Sequence, residues 1–172
     1  DSIFLHGEIN DDATYMVKSL LDAIMKDGRC KPKDGRYEWD GIPIYLSSYG
    51  GYLSDGFELG RLFRKSGVQA AIVQNQTCAS SCASAFLGGN IRSMQSESSR
   101  LLFHSPYSVD GYNQVTGRVS IDCSSKSASR DLKEYYVEML GKEKGTRLHK
   151  KTMSYCSKSD GWTLNKDAAQ LY

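Results

Sequence analysis

Only three of the 172 residues are prolines and only three are histidines. No uninterrupted apolar run approaches the ~20 residues that a bilayer-spanning helix needs. A net charge of +2 is too small to point to nucleic acid or an anionic membrane surface as a partner. The five cysteines, Cys30, Cys78, Cys82, Cys123 and Cys156, are odd in number and include no C-x-x-C pair. That argues against a tetrahedral zinc site, and no metal or cofactor is expected. One or two disulfides remain open, and composition does not decide the redox state. The first residues, Ile3-Phe4-Leu5, already read as a strand with no basic-then-apolar leader before them. A processed or trimmed chain is the expectation, and the compartment, exported or cytoplasmic, stays undecided.

Hydrophobic residues make up 40 % of the chain and charged ones 24 %, ordinary for a folded protein. The length suits one domain, residues 1–172, with a sizeable core. Residues 3–9 read as a strand. Asn10, Asp11 and Asp12 then offer N-caps to a helix whose apolar positions are Tyr15, Met16, Leu20, Leu21, Ile24 and Met25. Lys26 to Gly41 reads as an exposed connection. A second strand, 43–48, is expected to break at Tyr49-Gly50-Gly51. A helix through Leu53, Phe57, Leu59, Leu62 and Phe63 follows and stops at Ser66-Gly67. A third strand covers 68–73, a helix starts at about Ser80, and 101–104 is another short strand. Residues 110–117 read as a loop. A long helix is expected from about Ser125 to Met139, with a shorter one after Gly141 and Gly145. The end, from Asp160, opens as a turn and closes as a helix. Strand and helix alternating in this way imply an α/β fold with a largely parallel sheet. Ligands of such sheets bind beyond the carboxyl ends of the strands, where Gly50-Gly51, Ser80 and His104 all fall.

The stretch NQTCASSCASAFLGG, residues 75–89, crowds small residues just after a strand. Three readings compete: cysteine chemistry, a closely packed helix start, or a nucleophile held where a helix begins. A serine there would have free N–H groups and the positive end of the helix nearby. It needs a base to take its proton and main-chain donors for the oxyanion. On that logic Ser80 is the candidate nucleophile, and the N–H groups of Ser81 and Gly51 are the candidate donors. His6 lies in a strand and His149 among lysines, which leaves His104 as base. Asp110, Asp122, Asp131 and Asp160 all lie downstream as acids to orient it, and chemistry alone does not choose. Cys78 and Cys82 could be packing residues, a local disulfide or a redox pair.

The order of the pieces adds to this. IFLHGEIND, IPIYLSSYGGYLSDGFELGRLFRKSG, QTCASSCASAFLGG, SRLLFHSPY and SDGWTLNKDAAQLY together resemble the Clp protease proteolytic subunit of the crotonase-like superfamily. The likeness is greatest to divergent bacterial forms with a Cys-Ala-Ser-x-Cys nucleophile segment. It covers most of residues 2–107 and returns at 157–172. The resemblance implies stacked β-β-α-type units with flanking helices, and no cofactor. It implies that Ser80, His104 and Asp160 form the triad, that Gly51 and Ser81 form the oxyanion hole, and that Gly50 and Tyr49 line the substrate site. Tyr49 stands where the family has proline, and Cys82 where it has a small glycine. The region of about 110–156 corresponds to a rebuilt oligomerisation handle.

The function this implies is a serine endopeptidase acting on extended or unfolded polypeptide. A catalytically inactive scaffold subunit and an acyl-CoA-processing crotonase-type enzyme are the other classes. A homo-oligomer is expected, partly because Tyr135, Tyr136 and Met139 leave an apolar helix face to cover. No docking signature for an ATPase partner is visible.

Overall fold

The computed structural model describes residues 2–27 and 41–170. The insertion read at Cys30 to Asp40 lies outside the described residues. Two compact units divide the described residues: 2–27, 41–101 and 164–170 form one, and 102–163 the other.

In the first unit, β1 (Ile3–Ile9) buries Ile3, Leu5 and Ile9 and exposes Phe4, His6 and Glu8. That is the period of two that a half-buried strand demands. Helix α1 (Asp11–Lys26) begins at Asn10, whose side chain accepts the Ala13 N–H at 3.0 Å. Asp11 and Asp12 lie in its positive first turn and Lys26 in its last. The helix turns Thr14, Val17 and Leu21 inward but leaves Tyr15, Met16 and Leu20 exposed.

Strand β2 (Ile42–Gly51) is longer than its apolar pattern predicts. It continues through Tyr49-Gly50-Gly51, because Glu8 and Ile9 of β1 pair with Gly50 and Gly51. A register shift between His6 and Glu8 absorbs the turn expected there. Helix α2 (Leu53–Lys65) and strand β3 (Val68–Ile72) follow, then β4 (Thr77–Ala79), α3 (Ser81–Leu87), β5 (Ile91–Met94) and β6 (Arg100–Phe103). The three-residue β4 and the polar β5 give no apolar alternation to read.

The sheet order is β5-β3-β2-β4-β6-β9, with β1 also on β2 and β9 at Trp162–Leu164. The pairings of β1, β3 and β4 with β2, and of β5 with β3, are parallel. The expected α/β class with a largely parallel sheet and flanking helices is borne out. Helices α2 and α3 pack through glycines. A Cβ at Gly56 would fall 2.6 Å from the Ser81 carbonyl oxygen, and one at Gly88 would fall 1.9 Å from that of Gly60.

The second unit corrects two expectations. Residues 110–117 are not a plain loop. Strands β7 (Ser108–Tyr112) and β8 (Val119–Asp122) form an antiparallel hairpin there. Its turn is built on Asn113, whose side chain accepts the N–H groups of Val115 and Thr116. Gly and polar residues hid the pairing, since almost nothing in the hairpin is buried. The second correction concerns helix α4 (Lys126–Leu140): Tyr135, Tyr136 and Met139 are buried within the chain and leave no open face. Phe103 meets Tyr136 edge-on at 6.1 Å. Helix α5 (Lys142–Thr152) approaches α4 at Gly145, where a Cβ would lie 2.5 Å from the Tyr136 carbonyl oxygen. A single 3-10 turn, Lys158–Asp160, precedes β9, which had read as part of a turn. Back in the first unit, α6 (Lys166–Ala169) closes the described chain.

Candidate active site

Chain direction changes sharply between β4 and α3, and Ser80 is the residue at the corner. Its backbone sits at φ 58°, ψ −123°, outside the regions that L-residues ordinarily occupy. It is the N-cap of α3, and its carbonyl accepts the Ser84 N–H at 3.1 Å. Its side chain makes no capping bond to the helix, so the hydroxyl is not spent on the first turn. Serine is tolerated there because its neighbours fix the corner: Ala79 and Ser81 are wholly buried, and Cys78 and Cys82 are joined in a disulfide.

Gly50 closes on this corner from β2. Its φ of +97° suits glycine, and a Cβ there would lie 2.6 Å from the Ser80 Cβ and 3.2 Å from its Oγ. The glycine's N–H donates to the Ser48 Oγ at 3.0 Å, and the Ser48 hydroxyl in turn donates to the Gly7 carbonyl. Ser48 is buried and holds the turn from inside. Nothing singles out Ser48 in the sequence beyond its place before Gly50-Gly51. Gly51 must also be glycine, because a Cβ would fall 2.1 Å from the Ile9 carbonyl oxygen. Tyr49 and Tyr52, on either side of the pair, expose their rings.

Ser81 contributes a wholly enclosed side chain whose Oγ has no hydrogen-bond partner among the described residues. Asp55, in the first turn of α2, is a buried carboxyl that accepts the Thr14 hydroxyl at 3.4 Å. Burial, and then the Asp11 carboxylate beside it, push its pKa above the usual carboxylate range.

In the second unit, His104 follows directly on β6 and is buried, with its ring 5.4 Å from that of Tyr107. The Ser105 carbonyl lies 2.8 Å from its Nδ1. A carbonyl can only accept, so Nδ1 carries a proton, and in the neutral imidazole the lone pair is then on Nε2. Ser105 is anchored in turn: its N–H donates to the Tyr155 carbonyl at 2.7 Å and its hydroxyl to the same oxygen at 2.9 Å. Asp160 is exposed at the end of the 3-10 turn, where its carboxylate accepts the Ser157 hydroxyl at 3.3 Å. Ser80, Ser81, Gly50 and the Cys78–Cys82 pair are thus gathered in the first unit, beside Gly51. His104 and Asp160 belong to the second.

A parallel sheet with a serine at a strand-to-helix corner and glycines packed against it defines a ClpP-like α/β architecture. Solved structures share it. A variant of the 1510-N membrane-bound stomatin-specific protease matches the whole chain with a TM-score of 0.69 at 15 % identity, over 77 % of its own length. A second variant of that protease, in complex with a substrate peptide, matches with 0.69 at 16 %, over 73 % of its length. A variant of ClpP1 from Listeria monocytogenes matches 99 % of the chain with 0.66 at 17 %, over 86 % of its length. No family model and no curated protein matches the sequence. The chain therefore shares the ClpP-like fold of these structures.

Proposed function

We propose that the chain is a serine endopeptidase that hydrolyses extended or unfolded polypeptide. Ser80 attacks the scissile carbonyl, His104 takes the hydroxyl proton at Nε2 and returns it to the leaving amine, and Asp160 favours the imidazolium. The N–H groups of Gly51 and Ser81 hold the oxyanion. The observation that carries this reading is Ser80 itself. A non-glycine residue held at positive φ on a strand-to-helix corner, its hydroxyl not used as a cap, is costly unless its position matters.

Support for Gly51 comes from its neighbour. The Tyr52 N–H donates to the Ile9 carbonyl at 2.9 Å, and main-chain donors alternate along an extended strand. On that alternation the Gly51 N–H would face the other edge of β2, which meets β4 at Ser48. A substrate strand pairing beside Gly50 and Gly51 would run past the exposed ring of Tyr49. Main-chain pairing favours flexible polypeptide over folded protein, with modest side-chain selectivity.

Self-association belongs to the same proposal. Its basis is now the hairpin, where Val109, Tyr112 and Val119 are exposed on an otherwise isolated two-stranded ribbon.

The test is hydrolysis of an unfolded, carboxymethylated protein substrate, with products read by mass spectrometry. Internal cleavage that disappears in Ser80→Ala is the expected result. No cleavage by folded wild type, with labelling also absent, contradicts it and favours a scaffold. Saturable binding of coenzyme A in place of cleavage would favour acyl-CoA chemistry.

A further inference from the structure

The disulfide between Cys78 and Cys82 has Ser80 at its midpoint, and the two Cα atoms are 5.2 Å apart. The hydrogen-bonded structure on either side of Ser80 is short, although Gly50 packs against Ser80 and Gly56 against Ser81. Strand β4 has three residues and meets β2 through one pair, Ser48 with Cys78. Helix α3 has seven residues and starts at Ser81 without a side-chain cap. A backbone at φ 58° relaxes toward an ordinary region unless its surroundings over-determine it. The disulfide provides that constraint covalently, by tying the residue two before the corner to the residue two after it.

Two other uses for the pair are disfavoured by what surrounds it. A redox-active or nucleophilic cysteine has to be reached, and both Cys78 and Cys82 are wholly enclosed. A staple for global stability gains most by closing a long loop. Cys123 and Cys156, 33 residues apart, fit that description, whereas a separation of four restricts the unfolded chain far less.

We infer that the Cys78–Cys82 disulfide is a positioning device for the nucleophile. It holds Ser80 in its positive-φ corner, with the hydroxyl not used as a helix cap. Catalytic competence then requires this bond to be formed, and both cysteines are positioning residues that never touch substrate. The inference rests on the proposed role of Ser80. It adds that a chain folded without this bond keeps its architecture and loses its chemistry.

The experiment compares wild type, Cys78→Ala/Cys82→Ala and Ser80→Ala as full chains. It measures the second-order rate of fluorophosphonate labelling, kcat and KM on an unstructured peptide, and thermal unfolding. The double cysteine variant is expected to label and turn over about 100-fold more slowly, the scale of a 1 Å misplacement. Its KM should stay close to wild type, and its unfolding should remain a single cooperative transition. A purely structural bond would instead lower the melting temperature and leave the labelling rate of the folded fraction alone, which would overturn the inference.

If the double variant fails to fold, wild type is reduced with dithiothreitol in urea and refolded with graded amounts of the reductant present. Reducing the bond takes two electrons and two protons from the dithiol, which leaves as its cyclic disulfide. Alkylation and peptide mapping report the free thiols at 78 and 82. Labelling should fall in step with reduction at these two positions, and full labelling of the fully reduced pair overturns the inference. Labelling that Ser80→Ala abolishes but cysteine loss does not would sink this inference and leave the peptidase reading standing. Labelling that survives in Ser80→Ala, or is absent from oxidised wild type, overturns both.

Discussion

Gly50 and Ser80 lie so close that a Cβ on the glycine would stand 2.6 Å from the Cβ of the serine. The contact ties the end of β2 to the strand-to-helix corner, so neither residue can move without the other. Gly50→Ala adds a clash with the Ser80 side chain to the strain of φ +97°. A loss of about 1–3 kcal/mol of stability is expected from the backbone alone. The loss of kcat should be proportionally larger, because the new methyl meets first the Ser80 Cβ that carries the hydroxyl. Urea unfolding alongside peptide turnover separates the two effects.

The hydrogen bond at His104 Nδ1 ranks two further variants. The Ser105 carbonyl already accepts that proton and selects the tautomer a general base needs. His104→Ala should lower kcat by about 10²–10⁴-fold, the range of general base catalysis. Asp160→Asn should cost about tenfold or less, because the Asp160 carboxylate is exposed to screening solvent and the His104 Nδ1 proton already has the Ser105 carbonyl as acceptor. Steady-state kinetics of the two variants decide the order. A larger loss for Asp160→Asn than for His104→Ala would contradict it.

Ser81 carries a hydroxyl that burial leaves without a partner among the described residues. Removing it should relieve a desolvation cost, so Ser81→Ala is expected to raise stability by about 1 kcal/mol. The measurement is the urea midpoint at constant slope.

Asp55 makes stability depend on pH in a direction set by its raised pKa. The folded chain holds this proton more tightly than the unfolded one. The protonated carboxyl therefore supports folding fully below the unfolded value of about 3.8. That support is lost as pH rises through the higher folded value. Asp55→Asn should be more stable than wild type at neutral pH and indistinguishable from it below the unfolded value. Denaturation midpoints across that window check the sign.

How much of this was legible in the sequence depends on how each residue is held. Strand β1 and helices α1 and α2 announce themselves, because their apolar residues recur at two or at three to four and α1 opens on an ordinary Asn cap. Ser80 and its neighbours were found from small size and position, since a corner that admits another backbone has to be built from small side chains. The β7–β8 hairpin escaped because an exposed ribbon carries no buried face to pattern it. The α4 tyrosines were misread for a related reason. An apolar stripe shows that a face is covered but not by what, and here Phe103 covers Tyr136 from within the chain. Ser48 shows in the sequence only as the residue before Tyr49-Gly50-Gly51, because its role depends on a hydrogen bond to Gly7, 41 residues away.

The most direct measurement of the central claim is the site of covalent capture on oxidised wild type. After treatment with a fluorophosphonate, tryptic mapping should place a single adduct on Ser80, with none on Ser81 or Ser84, and His104→Ala should suppress it. An adduct elsewhere, or none on a chain whose unfolding proves it native, contradicts the account.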